Sequence, residues 1–337
     1  MIEVQGLTRY YGSFPAVQGA SFKIADREIV GFLGLNGAGK STMLRVLAGL
    51  QMPSSGTVMI DGVDATLAPD AMRKRIGFLP EDPPLYREMR VVEFLRWVGQ
   101  VKGCSRKAVE AELPKVIETC QLVEVADQVI GELSHGFRKR VGIAQAIIHK
   151  PSVVILDEPI SGLDPRQIVE MRSVVRSLKQ WATVLISSHI LSEIAQGVDR
   201  ILVIHKGRIV AEGTEQQLSG ALGKGTRLSL VVRGSVPQCE ELLGASELVD
   251  GYELAPQQVG DTELVGIEVS LRGDEREQLV RELVDGGLGV RSVQDAMGEL
   301  EQIFLQLTRA AVAPAELASK SLGHAELSGE NKREANP

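Results

Sequence analysis

The sequence predicts an α/β domain with a mostly parallel sheet over residues 1–220, followed by a smaller α+β domain. In the first part, short β-branched runs that are apolar on both faces alternate with longer amphipathic segments, as in a parallel sheet covered by helices. A glycine-rich loop joins the first buried run to the first amphipathic segment. The predicted strands are Ile29–Leu33, Val153–Leu156, Thr183–Ser187 and Ile201–Ile204, and the predicted helices are Lys40–Ala48, Arg138–His149 and Arg166–Gln180.

An antiparallel β subdomain and a helical lobe are expected beside this sheet. Gly12 and Asp61–Gly62 mark turns between its strands. A helical stretch from Val91 to Gln128 is expected to form most of a lobe that covers about residues 91–150. The antiparallel strands are expected at Met1–Gln5, Ala20–Ile24 and Gly56–Ile60.

A second domain is expected over residues 221–310, after a glycine-containing linker at Leu218–Gly225. The element order there is strand, helix, strand, strand, helix, strand, which resembles a ferredoxin-like α+β domain. The tail at 311–337 has little to bury, so we expect it to be disordered. The strands are predicted at Thr226–Val232, Glu263–Leu271 and Val290–Val293, and one more strand before Glu263 has no assigned bounds. The helices are predicted at Val236–Leu243, Glu275–Asp285 and, last, Glu299–Leu307.

The amino-acid composition argues against several classes of function. The 337 residues are 44% hydrophobic and carry a net charge of −7, which argues against a general nucleic-acid binder with a basic face. Cys104, Cys120 and Cys239 stand far apart and form no metal-binding spacing with each other or with histidine. The first residues do not resemble a signal peptide, and no apolar run approaches the ~18 residues of a membrane span. We therefore expect any action at a membrane to go through a partner.

A phosphate-binding loop lies between the first buried strand and the first helix. The residues Gly34–Ser41 read Gly-Leu-Asn-Gly-Ala-Gly-Lys-Ser and fit the spacing G-x-x-x-x-G-K-[ST]. Backbone N–H groups of such a loop and the start of the following helix hold phosphate oxygens, which predicts binding of ATP with Mg²⁺. Lys40 is expected to reach the β- and γ-phosphates, and Ser41 to ligate Mg²⁺. The predicted ATP contacts are Asn36, Gly37, Ala38, Gly39, Lys40, Ser41 and Thr42.

Acidic and imidazole side chains follow two other predicted strands. Asp157 and Glu158 end an apolar strand, and the carboxyl ends of parallel strands face the ligand crevice. Asp157 is predicted to hold Mg²⁺, and Glu158 to polarise the water that attacks the γ-phosphate. His189 follows the strand at Thr183–Ser187, and two interpretations stay open for it: a structural histidine, or a residue that contacts the γ-phosphate.

These motifs, in this order, resemble the ATPase subunit of an ABC transporter, a P-loop NTPase, over residues 1–220. The resemblance also includes Leu-Ser-His-Gly-Phe at 133–137 and Ser-Gly-Leu-Asp at 161–164. It implies that two chains sandwich two ATP molecules, so that Ser134 and Gly136 contact the ATP bound by the partner's loop. It further implies that Tyr11 stacks on adenine, with Tyr10 as a competitor, and that Asp164 links the two sites.

Three positions depart from the family pattern. His135 and Phe137 replace the usual Gly and Gln, while Ser134 and Gly136 are kept. Glu81 stands where the family usually has a glutamine that reaches the metal; a carboxylate still accepts from a metal-bound water but does not donate. Such substitutions and an added C-terminal domain resemble the ABC-2 export branch, including gliding-motility-like ATPases.

The resemblance implies an ATPase that works as a homodimer with a separate membrane permease of the ABC-2 type. We expect the permease to dock on this chain near Pro80–Met89 and the helical lobe. The chain itself is expected to lie on the cytoplasmic face of the cell membrane and to contact no nucleic acid directly. An alternative from another class is a soluble ABC ATPase that acts on nucleic acid, ribosomes or protein assemblies. A regulator that binds ATP without turnover is a third reading, against which Glu158 argues.

Overall fold

The chain is described by a computed structural model that covers residues 1–220, 227–259, 262–273 and 275–295. It divides into two compact units, of which the first comprises Met1–Thr214 and the second begins at Glu215. The strands of the first unit are β1 Ile2–Tyr11, β2 Phe14–Ile24, β3 Ile29–Leu33, β4 Ser55–Ile60, β5 Val63–Asp64, β6 Ile76–Leu79, β7 Val153–Leu156, β8 Thr183–Ser188, β9 Arg200–His205 and β10 Arg208–Gly213. Its helices are α1 Lys40–Leu47, α2 Pro69–Arg73, α3 Val91–Val101, α4 Arg106–Thr119, α5 His135–Ile147, α6 Pro165–Leu178 and α7 Leu191–Ile194.

The six-stranded central sheet has the order β10-β9-β3-β8-β7-β6. Strand β3 is parallel to both β8 and β9, and β7 is parallel to both β8 and β6, whereas β10 pairs antiparallel with β9. The mostly parallel sheet and its four predicted strands are confirmed, and β6 and β10 are additional. Because β3, β7 and β8 are parallel neighbours, the residues that follow them meet at one edge.

The antiparallel subdomain is a second sheet with the order β2-β1-β4-β5. The hairpin of β1 and β2 runs to the pair Tyr11 and Phe14, several residues beyond the predicted strand ends, and Gly12 turns it with a φ of 59°. Its apolar face shares one core with α1 and the central sheet, in which the rings of Phe22 and Phe32 meet edge to face at 5.7 Å. This shared core fixes β1 and β2 next to the loop before α1.

In the helical lobe, α5 packs closely against β6 at two glycines, one on each element. A Cβ at Gly77 would come 2.3 Å from the carbonyl oxygen of Ala146, and a Cβ at Gly142 would come 2.5 Å from Leu79. Glycine on each side therefore allows the closest approach of helix and strand. This close packing places α5 next to the residues that follow β6.

His149, after the end of α5, is held neutral. Its Nε2 donates to the carbonyl oxygen of Ile76 at 3.1 Å, and its buried Nδ1 has no partner among the described residues. Burial, reinforced by the positive charge of Lys102, lowers the pKa of His149 to about 4. The ring is therefore a neutral donor between the lobe and the sheet at neutral pH.

The second unit contains α8 Glu215–Gly220, β11 Arg227–Arg233, α9 Val236–Ala245, β12 Val249–Val259, β13 Thr262–Leu271, α10 Arg276–Asp285 and β14 Gly289–Asp295. Its sheet has the order β12-β13-β11-β14 with antiparallel pairs throughout, and its buried side chains include Leu230, Ile267 and Leu283. This order confirms the ferredoxin-like topology. The predicted last helix, the tail at 311–337 and residues 221–225 of the predicted linker lie outside the described residues.

Within the described ranges, every helix is too short or too polar to cross a bilayer. The domain bounds inferred from the sequence, 1–220 and 221–310, stay a prediction.

Candidate active site

The loop between β3 and α1 has a conformation that requires glycine. Gly37 and Gly39 have φ values of 82° and 105°, in the left-handed region where a side chain is strained. A Cβ at Gly39 would also lie 2.4 Å from the carbonyl oxygen of Ala16, on β2. The loop therefore passes against β2, and α1 begins directly after it at Lys40. Asn36 and Gly37 are exposed, whereas Ala38 is buried.

Lys40 is buried, and its ammonium group is held by three oxygens. Its Nζ donates to the carbonyl oxygens of Gly34 at 2.7 Å and Leu35 at 3.4 Å, and lies 3.3 Å from Oε1 of Glu158. Both charged side chains are about 95% removed from solvent, at 5% and 6% exposure. Lys40 therefore pairs with the strand-end glutamate that the sequence predicts to be catalytic.

Asp157 lies at the end of β7, opposite the start of α1. Its Oδ1 accepts from the hydroxyl of Ser41 at 3.2 Å and from the hydroxyl of Ser187 at 2.7 Å. Asp157 is 1% exposed. The predicted metal residues Ser41 and Asp157 thus lie side by side, and β8 contributes Ser187 as a further hydroxyl.

Glu158 has an unusual backbone conformation and a fully engaged side chain. Its φ of 49° is uncommon for a residue other than glycine, and such strain persists where the surroundings hold it. Here the hydroxyl of Ser187 accepts from the N–H of Glu158 at 2.9 Å, and Nζ of Lys139 donates to its carbonyl oxygen at 3.3 Å. Its Oε2 lies 2.9 Å from Nδ1 of His189. His189 therefore directly contacts Glu158, the residue that the sequence predicts to be the general base.

Tyr11 lies at the end of β1 with 42% of its surface exposed. Its hydroxyl donates to Oε1 of Gln51 at 2.6 Å, and the guanidinium of Arg9 lies 5.2 Å from the ring centre. Tyr10 is exposed as well. The contact to Gln51, after α1, ties Tyr11 to the helix that the phosphate loop begins.

The loop at 133–137 forms the N-terminus of α5. The helix begins at His135, three residues before the predicted start at Arg138, because the hydroxyl of Ser134 accepts from the N–H of Phe137 at 3.3 Å and caps it. A Cβ at Gly136 would lie 2.8 Å from Cδ of Gln167, so glycine keeps the helix end close to α6. Ser134 and His135 are exposed at this helix end, where the partial positive charge of the dipole lies.

Asp164 and Glu81 lie in two neighbouring loops. Asp164 is exposed and caps α6, since its Oδ1 accepts from the N–H of Gln167 at 2.9 Å. Glu81 follows β6, has an exposed side chain, and its carbonyl oxygen accepts from the ammonium group of Lys139. Phe137, in the first turn of α5, contacts the guanidinium of Arg140, which lies 5.2 Å from its ring centre.

Comparison with known proteins identifies the chain. A family model described as "ABC transporter" matches residues 17–161. The daunorubicin/doxorubicin resistance ATP-binding protein DrrA of Streptomyces peucetius is 34% identical over 312 residues, which cover 91% of this chain and 92% of that protein. The chain belongs to the ATP-binding subunits of ABC transporters. It is therefore an ATPase, and chains of this family dimerise and act with membrane permeases.

Other similar proteins agree with this assignment to the ABC ATPases. The Nod factor export ATP-binding protein I of Rhizobium meliloti (strain 1021) is 32% identical, with 91% of this chain and 88% of that protein covered. A solved structure of an ATP-binding subunit of an ABC transporter is 30% identical with a TM-score of 0.59, and covers 66% of this chain and 93% of that chain. The P-loop NTPase fold of the ABC type is thus confirmed.

The ABC ATPase geometry brings the predicted site residues into two groups. Lys40, Ser41, Asp157, Glu158 and His189 contact one another in pairs at the edge of the central sheet. A second group lies at the starts of α5 and α6 and comprises Ser134, Gly136 and Asp164. Gln167 lies against Gly136 and donates to Asp164, whereas Ser134 caps α5 through Phe137.

Two residues of the ABC ATPase site were not predicted from the sequence. Ser187 contacts both Asp157 and the backbone of Glu158, and its place at the end of a strand beside β7 is a signal that could have found it. Lys139 contacts the backbone after β6 and after β7, and the helical pattern around it contains no such signal.

Proposed function

We propose that this chain forms a homodimer that closes around two ATP molecules and drives an ABC-2 type export permease. The observation that carries the proposal is a hydrolytic pair, Lys40 and Glu158, in a chain similar over nine tenths of its length to export and drug-resistance ATP-binding proteins. The chain would lie in the cytoplasm, on the inner face of the cell membrane, held there by the permease.

At each site, bound ATP would replace contacts that the side chains now make with one another. The γ-phosphate replaces the carboxylate of Glu158 beside Lys40, because both anions compete for one ammonium group. The released carboxylate of Glu158 then accepts a proton from the attacking water as general base. His189, within hydrogen-bond distance of Glu158, contacts the γ-phosphate. Loop N–H groups from Asn36 to Thr42 hold the phosphates, and Tyr11 stacks on adenine.

Ser41 and Asp157 fit a magnesium ion. A hydroxyl and a carboxylate oxygen 3.2 Å apart are the hard oxygen donors that Mg²⁺ prefers. The ion supplies positive charge to the β- and γ-phosphate oxygens. Ser187 fixes the orientation of the Asp157 carboxylate through its hydrogen bond. Glu81 is a candidate acceptor from a water on the ion.

The second half of each site would come from the partner chain. Ser134 is exposed at the N-terminus of α5, where a helix dipole favours a phosphate, and Gly136 is buried two residues further on. The Ser134 hydroxyl, which now caps its own helix, turns to the γ-phosphate of the partner's ATP, and Asp164 links the two sites. His135 and Phe137 leave both of these contacts in place.

The permease would dock on an exposed aromatic cluster of the helical lobe. Tyr86 and Trp97 meet edge to face at 4.8 Å and are 50% and 41% exposed, close in sequence to the predicted docking stretch at Pro80–Met89. Large exposed aromatic side chains in a cluster are typical of protein contact sites. Trp181, at the end of α6, is 39% exposed and offers a matched control.

Co-purification from detergent-solubilised membranes tests the proposal. We expect the wild-type chain and Trp181→Ser to recover an integral membrane protein, and Trp97→Ser to lose it while its ATPase rate in solution stays unchanged. Recovery of ribosomes or DNA in place of a membrane protein would contradict the transport function.

A further inference from the structure

Lys139 is a buried cation that the steps above do not use. It lies on α5, five residues after the cap Ser134, and has 3% of its surface exposed. A fully buried lysine is rare unless its charge is engaged. Its ammonium group donates to two backbone oxygens, that of Glu81 after β6 and that of Glu158 after β7.

The charges around Lys139 come from the same two loops. The carboxylates of Glu81, Asp82, Glu158 and Asp157 attract its ammonium group, while burial, the larger effect, lowers its pKa. Lys139 therefore lies on the interior side of the site. It stands between the loop of Glu81, the candidate acceptor from a metal-bound water, and the loop of Glu158, the proposed general base. No contact of Lys139 to ATP is required for this placement.

The backbone that Lys139 holds at Glu158 is the strained one. A φ of 49° at a glutamate costs about 1 kcal/mol and lasts only if neighbours fix it. Two side chains do so: Ser187 on the N–H and Lys139 on the carbonyl oxygen. The N–H of Ser161 also donates to this carbonyl oxygen, at 3.4 Å. Without Lys139 that longer bond is left to hold the peptide after Glu158, so we expect the peptide to relax and the carboxylate to shift with it.

The start of α5, one turn before Lys139, would face the partner chain in the proposed composite site. Gly77 lets the backbone of α5 approach β6, and Gly142 accommodates the side chain of Leu79, so the helix packs closely on the strand before Glu81. A shift at Ser134, where the partner's ATP binds, therefore reaches Lys139 along rigid helix, five residues away.

We propose that Lys139 is a positioning residue that couples the ATP-sensing start of α5 to the catalytic Glu158 of its own chain. The inference rests on the proposed composite site. Within one chain, α5 serves two different ATP molecules: Ser134 contacts the one on the partner, and Lys139 aligns the base for the one bound by the chain itself. Nucleotide at one site thereby sets the geometry of the other.

Single variants give the first test. Lys139→Met is expected to lower kcat about 10²-fold through a misplaced carboxylate, and to leave the dissociation constant of ATP within about twofold, because no ATP contact is lost. Lys139→Arg, which keeps the charge and the donors, restores most of the rate. The control Lys115→Met, a 65% exposed lysine in a surface ion pair, keeps the wild-type rate. If Lys139→Met fails to fold, kcat and the dissociation constant of ATP are measured for Lys139→Gln and interpreted in the same way. An unchanged kcat, or equal losses of kcat and ATP affinity, overturns the proposal.

Mixed dimers of full-length chains with two affinity tags test the coupling within one chain. With Ser134→Arg in one chain and Lys139→Met in the other, both changes damage the same site, so the dimer keeps one intact site and about half the wild-type rate. With both changes in one chain beside a wild-type partner, both sites are damaged and the rate falls close to zero. Equal rates in the two arrangements overturn the role of Lys139. Full activity of the Ser134→Arg homodimer would instead refute the composite site, whatever Lys139 does.

Discussion

Replacing Glu158 by glutamine separates its two roles, as general base and as partner of Lys40. The ammonium and carboxylate groups are 3.3 Å apart and almost fully buried. At an effective dielectric constant of about 20, their attraction is about 5 kcal/mol. Part of this offsets the desolvation of both charges, so removing one charge is expected to lower the free energy of unfolding by about 3 kcal/mol. The amide of glutamine still accepts from His189, which limits the change to the charge.

ATP should reverse this loss. The γ-phosphate supplies the anion that Lys40 then lacks, so ATP raises the unfolding midpoint of Glu158→Gln more than that of the wild type. A difference of about 3 kcal/mol corresponds to roughly 6–12 °C for a domain of this size. Hydrolysis should fall about 10²–10⁴-fold, the usual contribution of a general base.

Thermal unfolding with and without ATP, together with phosphate release at saturating Mg²⁺ and ATP, measures both effects. Glu240→Gln, an exposed glutamate of the second unit, serves as the control and should match the wild type in each assay. Wild-type turnover by Glu158→Gln would refute the base assignment. An equal ATP-induced shift in the variant and the wild type would refute the competition of Glu158 and phosphate for Lys40.

Three further predictions concern stability and loop geometry. The pKa of His149, about 4 in the folded chain against 6.5 unfolded, means that its stabilising effect is present above pH 6.5 and lost as the pH falls to 4. Between pH 7 and 4 the wild type should thus lose about 3 kcal/mol more than His149→Gln in urea unfolding, and parallel losses would contradict this. Gly39→Ala should abolish ATP binding, because its Cβ would clash with the backbone. Gly103→Ala, with a φ of 85° in open space, should lower the free energy of unfolding by about 1 kcal/mol and keep the ATPase activity. Calorimetric measurement of ATP binding distinguishes the two variants. Ser105→Ala removes the cap of α4, a bond of 3.2 Å to the N–H of Ala108, and should cost about 1 kcal/mol, and an unchanged denaturant midpoint would exclude the cap.

The sequence predicts well those strands whose signal is local. Ile29–Leu33 and Val153–Leu156 are buried on both faces, and in each an apolar run with at least two β-branched side chains identifies both ends of the strand. Strand β6, Ile76–Leu79, is not predicted because its four residues contain one β-branched side chain, Ile76, next to Gly77. That glycine is there for the close approach of α5, a tertiary requirement which no local pattern contains.

The candidate site also contains residues that local motifs predict and residues that only the fold brings into place. Lys40, Asp157 and Glu158 follow from motifs, because phosphate and metal chemistry needs those groups at fixed places after strands. Lys139 lies in a helix with polar neighbours, where a lysine is normally solvated; its burial depends on two carbonyl groups from loops 58 and 19 residues away in sequence. The pairing of Lys40 with Glu158 is likewise a property of the fold rather than of either motif.

The shared site between two chains is tested most directly by mixing two inactive variants. Ser134→Arg and Lys40→Ala chains should each be inactive as homodimers, since both of their sites are damaged. Random mixing at equal amounts should restore about a quarter of the wild-type ATPase rate, because half of the dimers then hold one intact site. A mixture as inactive as its components, with mixed dimers demonstrated, would contradict ATP hydrolysis at sites built from both chains.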